Sequence, residues 1–335
     1  MLLSRFPRVS LAHLPTPMEH LPRLSKHLDG PEIYVKRDDC TGLGTGGNKT
    51  RKLEFLIADA QMKKANVVIT QGAVQSNHAR QTAAAAAKVG MQCELIFEKR
   101  VTDASDAYLK SGNVFLDQLF GANIREVEKG SDMNEEMNKV ANELTQKGST
   151  PYIIPGGGSN PIGALGYVDC VLEIITQANQ QNIEIDCIVH ATGSAGTQAG
   201  LIVGAKAMNS NIPILGIGVN VSQKLQEEKV YQLACETAEY MGLPGIIDRE
   251  DVVANCDYVG EGYGISTKSM NAAILTLARY EGLLFDPVYS GKGLAGMIDL
   301  IKKDYFQGQK NIIFIHTGGS VGLFAYHDLL KTDCS

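Results

Sequence analysis

The residues able to do chemistry gather in a few glycine- and hydroxyl-rich turns, and the first of these contains Lys49. It reads CTGLGTGGNKTRKLEF (Cys40–Phe55), with glycines crowded ahead of the lysine. A phosphate-binding P-loop needs a strand just before the glycines and a glycine just before Lys-Thr; here KRDDC precedes them and Asn48 stands before Lys49. Two readings remain: a solvent-facing cation at a helix start, or a nucleophilic amine. If Lys49 heads a helix, the helix's positive end and the nearby Lys36, Arg37, Arg51 and Lys52 would depress its pKa. That would free the lone pair that Schiff-base chemistry needs.

A second turn, TQGAVQSNHARQ (Thr70–Gln81), places Ser76, Asn77 and His78 at a helix start, where hydroxyl, amide, imidazole and backbone N–H groups suit a carboxylate or a ring oxygen. Ordinary N-capping by Ser76 or Asn77 explains the same residues. A third, HATGSAGTQAG (His190–Gly200), lacks the G-x-G-x-x-G spacing of a dinucleotide site and is compact enough for a single phosphate, or for a tight structural turn. The last two are DPVYSGKG (Asp286–Gly293), where Tyr289 precedes a helix start, and HTGGSVGLFAY (His316–Tyr326), where Thr317 follows a strand. Taken singly, Tyr289 also reads as a packed aromatic.

Together these turns offer one Schiff-base candidate, one single-phosphate loop, and an amide and hydroxyl cluster. Pyridoxal 5'-phosphate requires that set: one phosphate, an aldehyde for a lysine, and a ring that draws electrons from a substrate Cα. No Cys or His spacing suggests a metal, and the seven scattered cysteines fit reduced thiols in a cytoplasm. A net charge of -6 without a basic cluster argues against nucleic acid. Arg5, Pro7 and Arg8 break the apolar start, so no signal-peptide core is expected, and no run reaches bilayer length.

The turns must be held by alternating strands and helices. Strands are predicted at Val67–Thr70, Cys93–Phe97, Cys187–His190, Ile214–Val219 and Ile312–His316. Leu53, Leu56, Ile57 and Ala60 share one face of a helix following Lys49, and looser helical patterns cover Val114–Phe120, Met133–Leu144, Val168–Ala178, Ala199–Met208 and Met297–Lys302. The alternation predicts an α/β fold with parallel sheets covered on both faces, doubly wound in two domains. The tract Pro155–Gly166 is the candidate crossing between them, and the alanine run Ala83–Ala87 marks a helix, either closely packed or simply rich in a strong helix former.

KRDDCTGLGTGGNKTRKLEFL (Lys36–Leu56), QGAVQSNHARQTAAAAA (Gln71–Ala87), GSAGTQAGL (Gly193–Leu201), DPVYSGKG and FIHTGG resemble the pyridoxal-phosphate enzymes of the tryptophan-synthase-β fold type. Within that fold type they are similar to the branch of 1-aminocyclopropane-1-carboxylate (ACC) deaminase, D-cysteine desulfhydrase and L-cysteate sulfo-lyase. The similarity runs from about Arg5 to Tyr326. It implies that Lys49 holds the cofactor and moves protons, with Ser76 and Tyr289 as further catalytic residues. Asn77 would meet the ring hydroxyl, the segment Thr192, Gly193, Ser194, Ala195, Gly196 and Thr197 would cradle the phosphate, and Thr317 would face the ring nitrogen. Ser76, Asn77, His78, Tyr263 and Tyr289 would bind an amino-acid substrate. The resemblance also implies a homodimer, and a small domain (50–164) inserted into a large one (1–49 and 165–335).

Ser290 and Thr317 stand where the cyclopropane-opening enzymes carry glutamate and leucine, so ring opening is disfavoured. The remaining activities are α,β-eliminations giving pyruvate and ammonia. The form of IPGGGSNPIGALGYV and DCTGLGTGGNKTRK sets L-cysteate sulfo-lyase first and D-cysteine desulfhydrase second, with a sulfonate served by Ser159, Ser290 or Arg80. A non-catalytic small-anion sensor on the same fold is the third reading, and Lys49 speaks against it.

Overall fold

β-branched apolar runs become strands where both faces are covered. The computed structural model describes residues 3–101 and 104–328; Cys334 lies outside them. Among the described residues ten strands form two sheets: β1 (Met18–His20), β2 (Glu32–Lys36), β3 (Val67–Ala73), β4 (Gln92–Glu98), β5 (Asn123–Val127), β6 (Pro151–Ile153), β7 (Cys187–Thr192), β8 (Ile214–Gly218), β9 (Val253–Asn255) and β10 (Asn311–Ile315). One sheet has the order β1-β2-β10-β7-β8-β9 and the other β5-β4-β3-β6. This is the expected α/β fold in two domains. All five predicted strands are present, each within a residue or three of its expected bounds.

The expectation of purely parallel sheets needs one correction, because β1 pairs antiparallel with β2 at the edge of the larger sheet. The strands not foreseen are β1, β2, β5, β6 and β9. All but β2 lie at sheet edges, where one side is wet and the apolar signal is short.

The helix after Lys49 spans Lys49–Met62, and Leu53, Leu56, Ile57 and Ala60 are fully buried as their spacing requires. Its other faces are buried too. Gly166, in helix Pro161–Gln181, approaches so closely that a Cβ there would stand 2.5 Å from the Arg51 carbonyl. The tract Pro155–Gly166 therefore does more than link: its glycines form a short turn at Gly156–Gly158 and then permit this helix contact. The alanine run lies in helix Asn77–Val89, started by Ser76 capping Ala79 N and ended by Gly90 in the left-handed conformation. It is closely packed, because a Cβ on Gly44 would meet Ala84 Cβ at 2.7 Å. Among the described residues no helix is long and apolar enough to cross a membrane.

Candidate active site

The cations near Lys49 in sequence part company in space. Arg51 donates to both oxygens of Asp38 and of Glu173, at 2.8–2.9 Å. Lys36 donates to Glu173, Gln177 and the Thr16 carbonyl. Tyr167 closes the network on Asp38 at 2.6 Å. Burial would raise the Asp38 carboxyl, but Arg51, then Lys36 and Tyr167, outweigh it and hold the pKa below its usual value. This network ties the Lys49 helix to helix Pro161–Gln181.

Lys49 itself points away, into a cavity of about 240 Å3. It is 7% exposed, and among the described residues its amine meets no hydrogen-bond acceptor, only the Tyr289 ring at 5.6 Å. Burial lowers its pKa to about 8. The depression foreseen from sequence is there, but desolvation causes it, not the row of cations: Lys36 and Arg51 are paired elsewhere. Lys52, one turn on, is fully buried; burial first, then the charge of Lys49, pushes its pKa well below the usual value.

Ser76, Asn77, His78, Gly193, Ser194, Tyr263, Tyr289 and Thr317 line this cavity with Lys49, so residues spread over most of the chain converge on one space. Ser76 both lines the cavity and caps the helix that follows it. It lines the wall while its Oγ accepts from Ala79 N at 3.2 Å, which leaves its O–H free to donate. Thr70 Oγ1 donates to the Ile154 carbonyl and lies 2.8 Å from His78 Nε2, so Nε2 carries the proton. Burial, Lys49 and Lys52 push the His78 pKa well down, so its ring is neutral and no cationic carboxylate receptor. Tyr289 is presented by a turn that Asp286 caps, accepting from Val288 N, Tyr289 N and Ser290 N at 2.7–2.9 Å. Desolvation, followed by Tyr263 and Asp286, raises the Tyr289 pKa, and desolvation pushes Tyr263 up to about 12. Both hydroxyls keep their protons. Lys292 Nζ donates to the Val259 and Gly262 carbonyls, each at 2.6 Å, and holds the loop that carries Tyr263.

Thr192, Ala195, Gly196 and Thr197 are not in the cavity wall. Thr192 Oγ1 accepts from Gln226 and Thr197 Oγ1 from Asn48. Ala195 opens helix Gly196–Ala207 with φ 71, a left-handed backbone rare in a residue with a side chain. Of the sulfonate donors considered, Arg80 is fully buried away from the wall and Ser290 is turned onto Asp286. Ser159 Oγ sits against the Ser194 loop, 3.0 Å from Ser194 Oγ and accepting from Gly196 N.

The wall also contains Asn48, Gln71, Arg100, Gly156, Gly157, Asn220 and Lys229, which sequence reasoning did not single out for this site, and among the described residues it contains no carboxylate. Lys52 was missed as well. Its amine donates to the Gly157 carbonyl at 3.1 Å, and a Cβ on Gly196 would stand 2.9 Å from it. The i, i+3 spacing from Lys49 was the signal that could have placed both amines on one helix face. The glycine triplet could have marked Gly157, whose added Cβ would strike Ser194 Oγ at 2.3 Å; nothing in the sequence marks Arg100, Asn220 or Lys229.

These features fit pyridoxal phosphate: a partnerless, desolvated amine, a cradle that side chains at Gly157, Gly193 or Gly196 would crowd, a helix N-terminus, and a buried cation below it. Fold and site together define a cofactor-dependent enzyme with an α/β fold. The model of the pyridoxal-phosphate dependent enzyme family matches residues 9–318, and the chain belongs to that family. Within it, the chain is 45% identical over 325 residues to a D-cysteine desulfhydrase of Klebsiella pneumoniae (strain 342), covering 97% of this chain and 98% of the relative. It is 44% identical over the same length to the D-cysteine desulfhydrase of Salmonella typhi, with the same coverage of both. The crystal structure of an ACC deaminase homologue matches with a TM-score of 0.89 and 40% identity over 98% of this chain and 97% of that one. O-ureido-L-serine synthase, at a TM-score of 0.66 and 18% identity over 95% and 93%, shares the fold.

Proposed function

We propose that the protein is a carbon–sulfur lyase that converts D-cysteine and water to pyruvate, ammonia and hydrogen sulfide. The single observation that carries the class of chemistry is the Lys49 amine, buried in the cavity wall without a polar partner among the described residues. The relatives named D-cysteine desulfhydrase support this substrate over L-cysteate, which the sequence patterns alone had set first. The engagement of Arg80 and Ser290 elsewhere supports the same order, since both were candidates for holding a sulfonate.

When bound, pyridoxal phosphate supplies an aldehyde for amines and a ring that withdraws electrons from Cα. Lys49 would hold it and Asn77 would contact its ring oxygen. Ser194, the start of helix Gly196–Ala207 and Lys52 would receive the phosphate, and Thr317 would face the ring nitrogen. The substrate carboxylate would rest on Ser76 and on the N–H groups opening helix Asn77–Val89. Lys49 Nζ takes the proton from substrate Cα, a role suited to an amine with a pKa of about 8. Tyr289, whose hydroxyl stays protonated, donates to the departing sulfur as the Cβ–S bond breaks.

Two further parts belong to this reading. Residues 50–164 would form the small domain, supported by β3 to β6 lying together in the four-stranded sheet. A reducing cytoplasm and a homodimer complete it; six free cysteines among the described residues support the former. L-cysteate remains the second reading because Arg100, which pairs with Glu98, and Lys229 bring two cations to a wall that has no carboxylate among its described residues. Assaying sulfide from D-cysteine beside sulfite from L-cysteate on the purified enzyme tests the order. A larger kcat/KM for L-cysteate would reverse it, and turnover of neither would end it.

A further inference from the structure

Asn77 ends in an amide whose two sides differ: one accepts and the other donates hydrogen bonds. Which side meets the cavity is decided one layer further out. Asn113, 1% exposed, lies in helix Gly112–Leu119 behind Asn77. Its Oδ1 accepts from Arg80 Nε at 2.7 Å. A guanidinium only donates, so that side of Asn113 must be oxygen. Its nitrogen then faces the other way and donates to Asn77 Oδ1 at 3.0 Å and to the Gln75 carbonyl at 3.1 Å.

The unit is fixed from every side. The Asn113 N–H donates to Gln75 Oε1 at 2.9 Å, and Gln75 Nε2 donates to the carbonyls of Tyr108 and Ser111. Arg80 is fully buried and donates to the Gly44 carbonyl, to Thr45 Oγ1 at 2.8 Å and to the Gly46 carbonyl at 3.0 Å. Asn77 Oδ1 is thus occupied from behind, and its NH2 is the end left for the cavity.

We propose that Arg80 and Asn113 are positioning residues that fix Asn77 as a hydrogen-bond donor toward the ring oxygen of bound pyridoxal phosphate. A donor there favours the ionised oxygen, so the relay sets the balance between the absorption bands of the bound cofactor. The proposal rests on the reading of Asn77 as the ring-oxygen contact.

Asn113→Asp tests it. The substitution is nearly isosteric, retains an acceptor for Arg80, and offers Asn77 only acceptors, so the Asn77 amide turns over and presents its oxygen. The holoenzyme is expected to show a pyridoxal phosphate dissociation constant raised about tenfold and a pH midpoint of the visible band about one unit higher. Asn77→Ala measured alone decides the premise: if it moves neither readout, the reading of Asn77 falls. If Asn77→Ala moves them and Asn113→Asp does not, the relay is overturned and the site reading survives. Combined with Asn77→Ala, Asn113→Asp should add nothing; a further additive shift would reduce Asn113 to a structural role. Should Asn113→Asp not fold, Arg80→Lys removes the Nε–H while keeping a buried cation, and an unmoved spectrum there overturns the proposal.

Discussion

Lys49 and Arg51 lie two residues apart on one helix, both buried, and meet opposite electrostatic fates. Arg51 faces helix Pro161–Gln181, where Asp38 and Glu173 offer four carboxylate oxygens. Lys49 and Lys52 face a cavity and a glycine loop with no carboxylate among the described lining residues. Burial in a low-dielectric interior penalises charge in both places. Carboxylates repay it on one face; on the other, among the described residues, the amines meet only the Gly157 carbonyl, which accepts from Lys52. One half of the helix is therefore a structural clamp, and the other turns two buried amines toward the cavity and its glycine loop.

Removing the Lys49 amine gives the largest expected effect. Lys49→Ala is expected to lower kcat by at least about 10^3-fold, and borohydride should no longer fix the cofactor to the chain; full turnover would remove Lys49 from the chemistry. On the opposite face, Arg51→Met leaves Asp38 and Glu173 facing Lys36 alone. It should cost about 3–5 kcal/mol of stability, read from urea denaturation, with kcat per folded molecule close to wild type. A preserved urea midpoint would show that the clamp contributes nothing.

Lys52→Met sharpens the contrast, because it removes a buried cation that lacks a carboxylate. The pyridoxal phosphate dissociation constant is expected to rise about 10- to 100-fold while the urea midpoint of the apoprotein holds or increases. A stability loss like that of Arg51→Met would place Lys52 in the clamp. The smallest effect is in pH. The apoprotein should capture cofactor faster as pH rises, levelling off above about 8 as the Lys49 amine becomes neutral. Capture that keeps climbing toward the 10.5 of an ordinary lysine would mean that burial does not tune Lys49.

The same contrast explains what was legible in the sequence. Lys49, Ser76, Asn77, Gly193, Ser194 and Thr317 were readable because each lies in a turn at a strand end or helix start, where local residue types reveal a ligand-facing loop. The buried strands β3, β4, β7, β8 and β10 announced themselves through short runs rich in apolar and β-branched residues. Edge strands did not, since half of each looks like surface. Charge was misread because its fate depends on residues far along the chain: Glu173 claims Arg51, and Asn113 claims Arg80. Ser290 looked free for a ligand until Asp286 closed upon it. Spacing tells which face a residue shares, but the partner waiting there comes from the tertiary fold.

The loop before Lys49 is bolted to the far end of the chain. Asn48 N donates to the Thr317 carbonyl at 3.0 Å, and Gly47 and Gly318 touch so closely that a Cβ on Gly318 would lie 2.8 Å from Gly47 Cα. A contact spanning so much sequence is completed late. During synthesis, the lysine leaves the ribosome long before the segment it packs against, so on the proposed role of Lys49 nascent chains are expected to stay colourless until residue 318 has emerged. Chains stalled before that point should bind no pyridoxal phosphate, and a yellow stalled chain would show that the lysine is seated without its C-terminal partner.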